Sequence, residues 1–164
     1  MIPKAVFATS DAAEQLITRP KILQDNPTPS DNALALEALQ LHAALTGDLS
    51  AIREMEATMA SVSLIARRHP PFAGHSLAVW ATHLAGIREV AITGSEAGTA
   101  DMERIIWSAF RPDAVVAVNR DTGSSVPLLA GRDATDQATA YVCSGLVCDL
   151  PVTTAEALAD RIGR

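Results

Sequence analysis

The two cysteines of the chain, Cys143 and Cys148, are the residues whose type and spacing most directly suggest chemistry. Thiols bind metals, exchange disulfides or cross-link a chain. Zinc in a structural site takes four ligands, and the sequence holds no second thiol pair and no His-x3-5-His motif. The sequence therefore predicts no metal site, and no other cofactor is expected.

A redox role and a structural role both remain open for this pair. A reactive thiolate needs exposure and a nearby cation or helix N-terminus. Cys143 follows an apolar run, and the negative charge of Asp149 next to Cys148 disfavours a thiolate. The structural interpretation puts the two cysteines on neighbouring antiparallel segments of a tight turn around Ser144 and Gly145. There they would pack as small apolar side chains, able to form a disulfide on oxidation.

Composition and charge restrict the partners and the location of the protein. The 164 residues carry a net charge of −6, and 48% of them are hydrophobic, without an apolar run of membrane length. Basic residues cluster only at Arg67 and Arg68, so nucleic acid and anionic membranes are not expected as partners. The opening residues "MIPKAVFATS" lack the features of a signal peptide, which predicts a cytoplasmic protein with reduced thiols.

The first half of the chain reads as helical. Apolar periodicity bounded by caps and breakers predicts three helices, over residues 31–46, 49–66 and 72–84. Ser30 is placed to cap the first helix and Gly47 to end it. Pro70 and Pro71 separate the second helix from the third, because proline has no amide donor. Gly86 follows the third helix. We therefore expect a helical segment over residues 1–86.

The second half, residues 87–164, reads as a small α/β module. Short β-branched runs and amphipathic segments predict elements at 88–93 (strand), 99–110 (helix), 114–118 (strand), 137–143 (strand) and 153–162 (helix). The first three of these form a β-α-β unit. Residues 119–136 are rich in Gly, Ser and Pro, and the sequence assigns no element to them.

The helix predicted over residues 31–46 has no wide polar face. Its polar residues Glu37, Gln40, His42 and Thr46 are scattered around the helical wheel, and apolar residues occupy nearly every other direction. Such a helix requires cover on most sides. We therefore expect a homo-oligomer, or further domains of a longer chain, to supply the missing contacts.

Two stretches resemble a known family. "RPKILQDNPTPSDNALALEALQLHAALTG" (19–47) contains a D-x-x-x-P-S-x-N helix start, and "DQATAYVCSGLVCDLPVTTAEAL" (136–158) contains a strand, the cysteine pair and a final helix. Both are similar to segments of the thioredoxin domain-containing proteins of the spermatogenesis-associated protein 20 type. "VAITGS" and "RPDAVVAV" stand where that family has its β-α-β segment. The resemblance runs in order along nearly the whole chain.

The resemblance implies the C-terminal part of a larger architecture. Members of that family have a thioredoxin-like domain, then an (α/α) toroid similar to six-hairpin glycosidases and N-acylglucosamine 2-epimerases, then a small α/β tail. The implied fold class is α+β or α/β: a helical hairpin segment of the toroid followed by the α/β module. The implied function is that of a non-catalytic C-terminal module, acting in assembly or in a carbohydrate-related context.

The resemblance also gives Asp25, Ser30 and Asn32 a possible role at the mouth of the toroid, where they would bind substrate. A carbohydrate-acting isomerase or hydrolase, completed by oligomerisation, is the alternative that would use Asp25 and Asn32. The local interpretation makes Ser30 a helix cap, Asp25 part of a turn before Pro27, and Asn32 a partner of a first-turn amide. A third hypothesis makes Cys143 and Cys148 a surface that exchanges disulfides with a thioredoxin-like protein. These alternatives remain open at the level of sequence.

Overall fold

The computed structural model describes residues 5–14, 17–145 and 147–163 of the chain. These residues form a mixed α+β structure with five α-helices and an open four-stranded mixed sheet. Contacts divide the chain into two compact units. The helical unit comprises Met1–Ala43 and Asp48–Leu84, and the α/β unit comprises Ala44–Gly47 and Ala85–Arg164. No helix among the described residues has both the length and the apolarity that a membrane span requires.

Three α-helices occupy the first half of the chain: α1 (Asp31–Thr46), α2 (Leu49–Arg68) and α3 (Gly74–Ala85). The bounds of α1 are those predicted. The Ser30 Oγ accepts a hydrogen bond from the Ala33 N–H at 3.2 Å, and Gly47 has a φ of +75°, which a glycine adopts without strain. Three helices do not establish a toroid, so the toroid remains a prediction.

The third helix differs from its prediction at its start. A 3-10 turn at Pro70–Ala73 precedes α3, which begins at Gly74 instead of Phe72. Both prolines lie in this turn, where the missing amide donors cost no helical hydrogen bond. The core of the helical unit then forms from fully and nearly fully buried apolar side chains: Leu36, Met55, Met59, Val62, Ala73 and Val79.

The α/β unit contains a sheet with the order β2-β1-β3-β4 and two helices. In chain order its elements are β1 (Arg88–Thr93), α4 (Glu96–Trp107), β2 (Ala114–Asn119), β3 (Thr139–Ser144), β4 (Val147–Cys148) and α5 (Ala155–Ile162). Because β1 and β2 are parallel and α4 connects them, the predicted β-α-β unit is confirmed. β3 pairs antiparallel with both β1 and β4.

Helix α4 begins three residues before the predicted position, and it contains Gly98. A Cβ at Gly98 would lie 2.6 Å from the Ala138 Cβ, so the helix can approach the residue before β3 this closely only with a glycine there. Glycine normally lowers helix propensity. The sequence predicted a start at Thr99, and it does not show the tertiary contact that requires this glycine.

Different elements pack against the two faces of the sheet. Val90, Ile92 and Val142 belong to the core that α4 and α5 complete. The opposite face carries Ala91 and Ala117, which pack against a 3-10 turn at Pro127–Leu129. This turn lies in the segment to which the sequence assigned no element. The segment therefore forms the second cover of the sheet, and it positions the site described below.

Candidate functional site

Asn32, one of the predicted binding residues, is completely buried in the helical unit. Its Oδ1 accepts a hydrogen bond from the Val6 N–H at 2.7 Å. Its Nδ2 donates to the carbonyl oxygens of Val6, at 3.2 Å, and Ile22, at 2.7 Å. The whole side-chain amide is thus bonded to two backbone segments distant in sequence, an arrangement that favours a structural role.

Asp25 joins the starts of two helices. One carboxylate oxygen accepts from the Ser30 N–H and the other from the His75 N–H, each at 2.8 Å. The Asp25 N–H donates to the Phe72 carbonyl at 2.9 Å. Asp25 and Ser30 are therefore in direct contact, and Asn32 bonds elsewhere. Asp25 and Ser30 organise backbone at the N-termini of α1 and α3, whereas Asn32 bonds to the earlier segments at Val6 and Ile22 instead of to a first-turn amide.

Histidine–carboxylate pairs are distributed over the helical unit. The Nε2 of His75 lies 3.0 Å from the Glu37 Oε2, and the His83 and His42 rings face Glu56 and Asp48 at 3.7 Å. Within the described ranges, no three His, Cys, Asp or Glu side chains come together as metal ligands would. Each histidine thus has a carboxylate with which it could exchange a proton, but the three pairs lie apart and do not form one catalytic site among the described residues.

The two cysteines lie directly opposite each other on β3 and β4, as the sequence predicted, and Gly145 in the turn has a φ of +57°. The sequence also predicted reduced thiols, but in the structure the two sulfurs are bonded to each other. Cys143 is 2% exposed, whereas Cys148 is exposed. Cys148 is therefore the more accessible of the two cysteines.

Arg132 brings a cation to this disulfide. Its NH2 group lies 3.2 Å from the Cys148 Sγ and 3.9 Å from the Cys143 Sγ. The guanidinium carbon lies 4.7 Å from the centre of the Tyr141 ring, a cation–π contact. NH1 donates to the Leu128 carbonyl, and the Asn119 Nδ2 donates to the Arg132 carbonyl at 3.2 Å. The guanidinium is thus held against the sulfurs by contacts to Tyr141 and Leu128, and Asn119 fixes the backbone of Arg132.

Asp149, the charge that disfavoured a thiolate in the sequence, has its own partner. Its Oδ2 lies 3.0 Å from the Arg161 NH1, so its charge is partly balanced by that guanidinium. The cation nearest the sulfurs is Arg132, which precedes Cys143 by 11 residues and Cys148 by 16. The cation that a reactive thiolate requires is therefore supplied by a residue that the sequence did not indicate.

A cavity of about 130 Å³ adjoins the disulfide, and both cysteines line it. Arg132 and Glu89 also line it, together with the end of α1 at Ala44–Gly47, which belongs to the same unit. Glu89 pairs with Cys143 across β1 and β3, so its side chain shares a sheet face with both cysteines. It is 5% exposed. A carboxyl group, a guanidinium and two sulfurs thus surround one small space.

Sequence reasoning missed Glu89 and Arg132 as members of this site. Strand β1 carries one acidic residue directly before its apolar residues Val90, Ala91 and Ile92, and that position was the available signal for Glu89. No pattern marked Arg132, because its segment has no periodicity.

The fold and the site define an α+β protein with an arginine-flanked disulfide linking adjacent strands. Comparison of the chain with protein-family models, with curated proteins and with solved structures returns no match. The resemblance described from the sequence is thus without support from these comparisons and remains a prediction.

Proposed function

We propose that the α/β unit is a thiol–disulfide exchange module, in which Cys148 reacts with the partner and Cys143 resolves the mixed disulfide. The observation that carries this proposal is the Arg132 guanidinium, 3.2 Å from the exposed sulfur and 3.9 Å from the buried one. A cation at that distance favours the thiolate, which is both the attacking and the leaving form in disulfide exchange.

The exchange proceeds in two balanced steps. A partner thiolate attacks the Cys148 Sγ, the bond between the two protein sulfurs breaks, and its electron pair leaves on Cys143 as a thiolate beside Arg132. The second thiolate of the partner then attacks the partner's own sulfur in the mixed disulfide and releases Cys148. The partner is oxidised by two electrons and the pair in the protein is reduced. In the reverse direction, the Cys148 thiolate attacks a partner disulfide.

The surroundings of Cys148 favour a protein as the partner. Val147 and Leu150, on either side of Cys148 in the sequence, are 76% and 82% exposed. Exposed aliphatic residues close to a reactive cysteine in the chain favour contact with another protein. A thioredoxin-like dithiol protein, one of the partners left open by the sequence, has the required chemistry.

Trapping of the mixed disulfide tests this function. The Cys143→Ser variant cannot resolve the intermediate, so incubation with an oxidised thioredoxin-like protein should accumulate a covalent complex through Cys148, visible on a non-reducing gel. Cys148→Ser should accumulate none, and Ser144→Ala, beside the pair, should behave as wild type. If reduced wild-type protein exchanges no faster than its urea-unfolded form, the arginine-flanked site confers no reactivity and the proposal fails.

The module function implied by the family resemblance is the second candidate, and one observation favours it. Leu34, Ala38 and Leu41 form an exposed apolar stripe on α1, with Leu34 49% and Leu41 41% exposed. Sedimentation of wild type and of Leu34→Glu tests whether this stripe associates with another copy. A monomer at every concentration would remove the homo-oligomer version of this candidate.

A further inference from the structure

We infer that the cavity beside Arg132 admits a small hydroperoxide, which the reduced Cys148 converts to an alcohol or water. This inference rests on the proposed function, because it uses the same accessible sulfur and the same resolving cysteine. It adds the oxidant that forms the disulfide seen in the structure. Its basis is one juxtaposition: a cavity of about 130 Å³ lined by Cys148, Cys143, Arg132 and Glu89.

The size of the cavity favours a reactant of few atoms. By the same measure one water molecule needs roughly 10–15 Å³, so a space of about 130 Å³ admits hydrogen peroxide or a short alkyl hydroperoxide. A bulky aromatic hydroperoxide must displace more of the lining side chains, so we expect it to enter and react more slowly. A protein partner instead approaches Cys148 from its exposed side, and the cavity serves a small oxidant.

The charged groups of the cavity match the reaction. When the Cys148 thiolate attacks the terminal oxygen of a hydroperoxide, the O–O bond breaks and its electron pair leaves on the second oxygen. That oxygen gains negative charge, which the Arg132 guanidinium stabilises. The Glu89 side chain accepts a hydrogen bond from the hydroperoxide O–H and thereby orients it. The leaving oxygen takes a proton from water, and Cys148 becomes a sulfenic acid.

The opposed position of Cys143 completes the cycle. Its thiol attacks the sulfenic sulfur of Cys148, water leaves, and the disulfide forms between residues that already face each other across β3 and β4. In sum, two thiols and one hydroperoxide give one disulfide, one alcohol and one water. A dithiol partner then reduces the disulfide by the exchange described above.

Rapid mixing of the reduced, desalted protein with hydrogen peroxide tests the inference. The measured quantity is the rate of thiol loss, compared with free cysteine under the same conditions. Stabilisation of the leaving oxygen predicts a rate at least about a hundredfold higher than that of free cysteine. Cys143→Ser should stop at the sulfenic acid, detected as a dimedone adduct on Cys148, and cumene hydroperoxide should react far more slowly than hydrogen peroxide.

Glu89→Ala should lower the ratio of the peroxide rate to the rate of Cys148 alkylation by iodoacetamide, whereas Glu89→Gln, which keeps an acceptor, should retain most of that ratio. Glu156→Ala, an exposed acidic residue of the same unit, is the matched control. If Glu89→Ala does not fold, the rates of the wild-type protein with hydrogen peroxide and with cumene hydroperoxide test whether the cavity admits the oxidant.

Two results would overturn the inference: a peroxide rate equal to that of free cysteine, or equal rates with the small and the bulky hydroperoxide. Dithiol exchange, measured on the same preparation, separates the two proposals. Exchange without peroxide reactivity overturns the peroxide inference alone. Loss of both overturns the proposed function as well.

Discussion

Two polar clusters, one in each unit, contain the residues that the sequence marked for chemistry, and they differ in how their polar atoms are used. In the helical unit, every polar atom of the Asn32 side-chain amide and both carboxylate oxygens of Asp25 bond to backbone groups. In the α/β unit, Arg132 directs its guanidinium at two sulfurs, one of them exposed. Saturated polar groups hold a structure, whereas an accessible atom beside a charge can react.

The largest expected effect lies in the saturated cluster. Asn32→Ala removes three hydrogen bonds and leaves the part-buried Val6 N–H and the Ile22 carbonyl without that partner, so the helical unit should lose about 3 kcal/mol of stability. Urea unfolding followed by the fluorescence of Trp80 measures this. Gln24→Ala, at an exposed position, should change stability by less than about 0.5 kcal/mol. If Asn32→Ala is as stable as wild type, the polar cluster of the helical unit does not have the structural role that distinguishes it from the cluster of the α/β unit.

Asp25→Asn tests the same cluster with a smaller change. An amide offers one acceptor oxygen in place of two, so either the Ser30 N–H or the His75 N–H loses its partner. We expect a loss of about 2 kcal/mol. Thermal unfolding measured by circular dichroism reports it, and the rate of Cys148 alkylation should be unaffected. A variant as stable as wild type would contradict the role of Asp25 in joining two helix starts.

Arg132→Met tests the reactive cluster. Removal of the cation disfavours the thiolate, so in the reduced protein the alkylation of Cys148 near neutral pH should slow about tenfold. Arg132→Lys should recover part of the rate, and Arg104→Met, at an exposed position with a surface ion pair, should have no effect. If Arg132→Met leaves the alkylation rate of Cys148 unchanged, Arg132 has only a structural role, as Asn32 and Asp25 have in the helical unit.

The smallest expected effect concerns the start of α2. The Ser50 hydroxyl, and then the Ser50 N–H, donate to the Asp48 carboxylate and lower its pKa below the ordinary value of 3.8. Because the folded-state pKa is lowered, this stabilisation is present above the ordinary value and is lost as pH falls through the folded-state pKa. Wild type and Asp48→Ala should therefore differ in melting temperature at neutral pH and converge in acid. Equal melting temperatures of the two proteins at neutral pH would contradict this stabilisation.

The elements with a strong local signal were predicted well. Helix α1 begins at Asp31 and ends at Thr46 as predicted, because Ser30 and Gly47 carry their capping chemistry in their own side chains and backbone. Strand β1 also has its predicted bounds, Arg88–Thr93. The start of α4 was not predicted, because the Gly98–Ala138 approach joins residues far apart in sequence.

The site was predicted only in part. Cys143 and Cys148 were identified, since cysteine chemistry is visible in the residue type itself. Arg132 was not, because its guanidinium reaches the sulfurs only after the segment between β2 and β3 has folded back over the sheet, where Leu128 and Leu129 pack against it. For Asn32, residue type suggested polar binding, but its buried position decides that it bonds to the backbone.

By itself, the sequence determined the alternation of helices and strands and the opposed placement of the two cysteines, because caps, breakers, periodicity and a short turn act within a few residues. Only the tertiary structure decided which cation lies beside the sulfurs, which sulfur is exposed, and that Glu89 shares their sheet face. Electrostatic effects depend on distance in space, and a linear sequence does not contain that distance. The chemistry of this site is therefore a property of the fold.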